Sequence, residues 1–334
     1  MEGEAGLVGF AYIITDDKIT ELAGMKHKDF YQKLDFMVSA EKKAEEIVER
    51  EVGGKWVGIS LRNGCGVMGA HVMGCRIVYP EDTEPWAIPF LKSIEDVENL
   101  EVPEPSRNPA VKYYLERARE FERLTGIKSG VGFEGPISVS ALCRGTTQYY
   151  ADVVRAPDLC KKLADLVTDT YLEWERYHNE QMGIEPGMSV GLGDDCASWL
   201  SPRAYEHIAF PPLLKIIEAH PEAKHRSMHN CGQTNHLLEK ISELRLSSFE
   251  LGEMVDIAKV RKLMPDTHIG RLLDYKILST NDEKRIRNYV DTQISLAAQL
   301  GNTSLRIEAW RPIELRTVRL VKHLVDKHNS EQGL

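Results

Sequence analysis

HRSMHNCGQTNHLLEKISELRLSSFELGEMVDIAKVRKLMPDTHIGRLL, residues 225–273, is the stretch that decides the fold. HRSMHNC reads as a strand and HLLEKISEL as a helix. LSSFELG is strand-like, a helix follows around Asp256 to Met264, and THIGRLL is strand-like again. Strands separated by helix-length connections lie parallel in one sheet. The rhythm extends both ways. Upstream lie IKSGVGFEG (strand and loop), the helical SVSALCRGTTQYYADVVR, a long helix from Pro157 to Glu180, strand-like MSVGLGDD and a helix around Arg203 to Phe210. Downstream lie a helix from Asn281 to Leu300, strand-like TSLRIEA and a closing helix from Leu315 to Lys327. About six strands follow residue 127, and the first half can supply two more, enough to close a (β/α)8 TIM barrel.

The first half is less regular. Phe30, Leu34, Met37 and Val38 recur at helical spacing, and AEKKAEEIVER continues as a charged helix, so residues 1–52 read as an N-terminal helical extension. Glycines crowd residues 53–74, which read as loop or short strands; SIEDVENLEVPEPSRNP is a surface connection; Val111 to Leu124 is a helix. No Ser/Gly linker, low-complexity tract or repeat divides the 334 residues, so 1–334 is read as one domain.

With 42% hydrophobic and 28% charged residues, the chain has apolar mass for a large core and is not a disordered polymer. The net charge of −9 comes without a basic block, which argues against nucleic acid and anionic membranes as partners. No apolar run approaches the ~18–20 residues of a membrane span. The start, MEGEAGLVGFAYIITDD, is acidic where a signal peptide is basic, so the chain reads as cytoplasmic. The six cysteines (65, 75, 143, 160, 196 and 231) are scattered, and a special one is expected to be a metal ligand or nucleophile.

His229-Asn230-Cys231-Gly232 carries the sharpest chemistry. Residues i and i+2 of a strand share a face, so His229 and Cys231 project together at a strand end, with Gly232 turning the chain. An imidazole and a thiolate at that spacing make half a zinc site, although spacing alone better fits a core His and a core Cys. Catalytic zinc takes a third protein ligand. Asp194, Asp195, Glu250, Glu253 and Glu308 all end predicted strands. The adjacent Asp194 and Asp195 suit a general base or hydrogen-bond acceptor in a pocket, and suit equally the acidic start of a helix. Tyr149 and Tyr150 could wall the pocket or belong to the core.

Taken in order, four segments resemble the uroporphyrinogen decarboxylase superfamily, in its cobamide-dependent methyltransferase branch. They are GAHVMGCRIVYPEDTEPWAIPFLKSIEDVENLEVPEP (69–105), FEGPISVSALCRG (133–145), GIEPGMSVGLGDDCASWLSPRAYEHIAFPPLLKII (183–217) and HNCGQTNHLLEKI (229–241). The resemblance implies a barrel, zinc at His229 and Cys231, a corrinoid (cobalamin) carried by a partner protein, and room for a homodimer. Two departures refine it. The arginine motif that grips porphyrin carboxylates is replaced by LRNGCG (61–66), leaving Arg62, Arg76 and Arg144 as the early arginines a polycarboxylate decarboxylase would need. The third cysteine ligand of the thiol-methylating members, such as those acting on coenzyme M, is absent from LRIEAWRP (305–312), where Glu308 takes its place by register. A carboxylate in place of a thiolate leaves zinc a stronger Lewis acid toward oxygen. The expectation is O-demethylation: methyl passes from a methoxylated, aromatic small molecule to cobalt. Asp194 and Asp195 are the catalytic candidates, and Tyr149, Tyr150 and Glu250 the substrate contacts.

Overall fold

A computed structural model describes residues 6–53, 58–64, 66–132, 134–185 and 187–332; the thiol at 65 and the acidic residues 1–5 lie outside them. The strands in chain order are β1 (Val8–Ile14), β2 (Arg76–Val78), β3 (Trp86–Ile88), β4 (Ser189–Gly193), β5 (His225–Asn230), β6 (Ser248–Leu251), β7 (His268–Leu272) and β8 (Thr303–Ala309). Six of them form one parallel sheet in the order β1-β8-β7-β6-β5-β4, and β2 and β3 form a separate antiparallel pair. Helices Phe210–Glu218, Leu238–Ser242, Ile257–Leu263 and Glu283–Leu300 carry the chain from each strand of β4–β8 to the next. The molecule is an α/β fold of the TIM-barrel type.

β1 lies inside the expected helical extension. Val8 pairs opposite Thr303 and Ile14 opposite Ala309, so VGFAYII is the first stave, as its β-branched and aromatic content favours. Helices Asp16–Ala23, His27–Gln32 and Leu34–Glu51 follow it. Thr15 fixes the joint: its hydroxyl donates to the Ala309 carbonyl at 3.1 Å and accepts from the Lys18 amide.

IKSGVGFEG does not form a strand among the described residues. Its residues 127–132 run irregularly, and the chain meets β4 through a hydrogen bond from the Gly135 amide to the Gly193 carbonyl. Glycines at 130, 132 and 135 explain this, because they give a strand neither stiffness nor side chains to pack. Residues 58–64 are likewise irregular, and Gly58, Ile59 and Ser60 share a cavity wall with Tyr12, Ile13 and Ile14 of β1. Among the described residues the sheet is therefore hydrogen-bonded through six staves rather than the eight expected. Within the glycine-rich stretch, Val67–Met73 forms a helix whose Gly69 packs on Val139.

The two faces of the staves differ. Val190, Leu192, Met228, Phe249, Leu251 and Ile269 point outward and are buried in one core with helix residues such as Leu163, Leu213, Ile241 and Val260. Each such side chain stabilises the fold by roughly 1.5–3 kcal/mol. The alternate positions, including Ser189, Gly191, Ser227, His229, Ser248 and Glu250, face the barrel interior. Among the described residues, no helix is long and apolar enough to cross a membrane.

Candidate metal centre

Three parallel strands end together. The register sets Gly193 opposite His229 and His229 opposite Glu250, so the loops after β4 and β5 and the end of β6 converge on the imidazole. Nε2 of His229 lies 3.5 Å from Asp195 Oδ1, and Nδ1 lies 3.1 Å from Glu250 Oε1. The Cys231 amide donates to Asp195 Oδ1 at 2.8 Å, tying the β5 loop to the β4 loop. Ligand atoms of Asp195, His229 and Cys231 all lie within 4.8 Å of one another; so do those of His229, Glu250 and Glu308.

The structure brings His229 and Cys231 together as the spacing predicts, and the carboxylate that could join both is not Glu308. Glu308 shares a donor set with His229 and Glu250, not with Cys231. The carboxylate that joins the imidazole and the thiol is that of Asp195. The reason is position around the barrel: β5 borders β4, whereas β8 stands three strands away.

Asp194 and Asp195 part company. Asp194 is fully buried beneath helix Pro136–Arg144 and accepts from the Ser138 amide and hydroxyl, both at 2.9 Å, and from the Ile137 amide at 3.2 Å. This is a carboxylate capping a helix start, a structural role that the expected catalytic one did not include. Burial pushes its pKa up to about 7 in spite of those donors. Asn230 completes the brace, donating to the Asp194 carbonyl at 2.7 Å and accepting from the Gly232 amide at 2.9 Å. Asp194→Asn sets an amide NH2 against these donors and should cost about 1–3 kcal/mol of stability. Urea unfolding together with metal analysis would check it, with unchanged metal content as the expected companion.

The tyrosines also divide. Tyr149 is fully buried and belongs to the core, which overturns its expected place in a pocket wall. Tyr150 is half-buried, donates to the Cys196 carbonyl at 2.5 Å and packs on Trp199 with ring centroids 5.2 Å apart. Glu250 is 8% exposed, accepts from His229 and from Arg306 Nη1 at 2.5 Å, and lines the cavity beneath the donor set. Arg306 escaped the sequence reading. Its signal is a charged residue two positions before Glu308 on the same face of TSLRIEA. Of the early arginines, Arg62 pairs with Asp16 and Glu41, Arg144 pairs with Asp152, and Arg76 is exposed on β2. They form no anion-binding cluster.

The uroporphyrinogen decarboxylase (URO-D) family model matches residues 64–302. The chain belongs to the uroporphyrinogen decarboxylase family. Two solved structures share its fold. A methyltransferase from Methanosarcina mazei is 15% identical with a TM-score of 0.69, covering 98% of this chain and 94% of that one. A B12-independent methionine synthase from Shewanella sp. W3-18-1, in complex with selenomethionine, is 10% identical with a TM-score of 0.51, covering 98% of each chain. No curated protein sequence matches the chain.

On this family's barrel the donor chemistry suits a borderline-soft dication: one nitrogen, one sulfur and one carboxylate oxygen at the open end. The electrostatics agree. Burial acts to lower the His229 pKa, but hydrogen bonding to Asp195, Cys231 and Glu250 outweighs it and pushes the pKa up to about 12. Acceptors crowded round an imidazole are a place for positive charge. A cation on the Nε2 side would leave the ring proton on Nδ1 facing Glu250, the carboxylate–histidine brace that orients metal ligands. Glu250→Ala should therefore weaken metal affinity about 10- to 100-fold, read by competition with a chelator. Unchanged affinity would remove Glu250 from the ligand's support.

Proposed function

We propose that the chain is a zinc-dependent methyltransferase that passes methyl from a methoxylated, aromatic small molecule to the cobalt of a corrinoid on a partner protein. The Asp195–His229–Cys231 donor set, braced by Glu250 and Arg306 at the strand C-termini, carries this reading, because barrel enzymes keep their chemistry there. Zinc held by these three would act as a Lewis acid toward the substrate oxygen. A single thiolate with a carboxylate favours an oxygen substrate over a thiol, and the change from Glu308 to Asp195 leaves that preference intact.

This chain's own residues would orient and enclose the substrate. Glu250 and Arg306 fix the imidazole plane; the Cys231 amide fixes Asp195; Tyr150 and Trp199 offer a half-exposed aromatic edge to a ring. Trp199, Met254 and Tyr275, on the loops after β4, β6 and β7, are 69%, 63% and 42% exposed. Exposed apolar side chains around one opening suit a docking protein. The Methanosarcina mazei fold neighbour, itself a methyltransferase, supports the reaction class.

The deciding experiment incubates the purified chain with cob(I)alamin and a panel of methyl donors: aryl methyl ethers, methanol, methylamines and methyl thioethers. The methylcobalamin spectrum should appear with the ethers. Its absence with every donor, from protein that holds zinc, would sink the proposal.

A further inference from the structure

TIM-barrel interiors are normally filled by layers of bulky branched side chains. Here the inward positions of β4, β5 and β6 are Ser189, Gly191, Ser227 and Ser248, below His229 and Glu250. A cavity of about 510 Å3 results, with Arg306 also in its wall. It also passes the free edge of β4, where Val131 and Tyr171 join its wall, down to Glu175 and His220, paired at 2.8 Å, with His220 on the turn that precedes β5. The cavity therefore reaches from the end where the strands begin to the underside of the donor set.

Exposure shows which way it opens. Ser189, Gly191 and Ser227 are exposed although each points inward from a strand, and so is His225 at the start of β5. One pleat higher, His229 is half-buried, and Glu250 is buried. Along β4 and β5 exposure thus falls from the strand starts to His229 and rises again at Cys231, so the hollow is reached from below as well as from the mouth, beside the free edge of β4.

We propose that this hollow is an aqueous passage, entered past Ser189 and Ser227 from the end opposite the mouth, which brings water and protons to the donor set from below. The inference rests on the methyltransferase reading. In that reaction the electron pair of the broken C–O bond stays on oxygen, the methyl carbon accepts the electron pair of cobalt(I), and the oxygen takes up one proton. A partner seated on the rim of Trp199, Met254 and Tyr275 shuts bulk water out of the mouth, so the proton arrives from the other side. The serine hydroxyls and bare glycine backbone on the inner face of β4 and β5 suit a file of water.

Thiol mapping tests the passage without any turnover. Ser227→Cys in the full chain is treated with a small charged methanethiosulfonate, and modified peptides are counted by mass spectrometry. The thiol at 227 should react within about tenfold of the rate of an exposed reference thiol, Ser330→Cys on helix Leu315–Glu331, and adding Ser189→Trp should slow it by more than about tenfold while sparing that reference. Ser189→Leu serves as a second plug, with far-ultraviolet circular dichroism and zinc content reporting that each variant is intact. Protection of the thiol at 227, or labelling that neither plug slows, overturns the passage. Methylcobalamin formation is read separately, so failure of the passage and failure of the methyltransferase reading remain distinct.

Discussion

His229→Ala should strip zinc from the protein to background and lower methyl transfer on the order of 10³-fold or more. The imidazole is the one side chain common to both donor sets, so no rearrangement of the remaining carboxylates replaces it. Its loss also leaves Asp195, Glu250 and Glu308 without the group whose charge they share. Cys231→Ala should lose zinc as well, whereas Cys231→Ser should keep part of it, since an alkoxide or hydroxyl is a poorer ligand than a thiolate. Comparison of Asp195→Ala with Glu308→Ala tells the two sets apart. The first should empty the site and the second should not. Metal analysis of His229→Ala that returned full zinc would remove the centre from this strand. Loss of zinc from Glu308→Ala alone would move it to the set that contains Glu250.

Gly252→Ala should weaken metal binding by at least about tenfold and destabilise the fold by about 1–3 kcal/mol. The reason is steric, since this glycine does not occupy the left-handed region. A Cβ at 252 would overlap the carbonyl of Cys231 and press on that of Gly232. Both are backbone atoms of the loop that aims the thiol. Retreat is blocked: the Gly252 amide donates to the Asn230 carbonyl at 3.2 Å, and its carbonyl accepts from Arg271 Nη1 at 3.0 Å. Arg271 also donates to the carbonyls of Glu253 and Val255, holding the whole turn after β6. Zinc titration and thermal unfolding of the variant would check both halves, and wild-type affinity would show that the two loops can slide apart at little cost.

Much of this was written in the chain. Alternation of strand-like and helix-length segments from 189 to 309 set the parallel order β4 to β8. The spacing of His229 and Cys231 set their common face, because a strand repeats every two residues whatever lies beside it. The alternation of small or polar with bulky residues in SVGLG and SFEL also marks an inner wall that is not packed, a signal apparent once the barrel is seen.

Which carboxylate meets the imidazole could not be read this way. Asp194 and Asp195 are neighbours in sequence, yet one caps a buried helix and the other faces the metal donors. Glu250 and Glu308 both end strands, and both lie in a set without Cys231. Local spacing fixes the side of a strand a residue occupies, because that follows from the pleat. Distance across strands follows from register, from the order of staves round the barrel and from the irregular runs that replace two of them. Those depend on packing between segments far apart in sequence, so only the tertiary structure decided them.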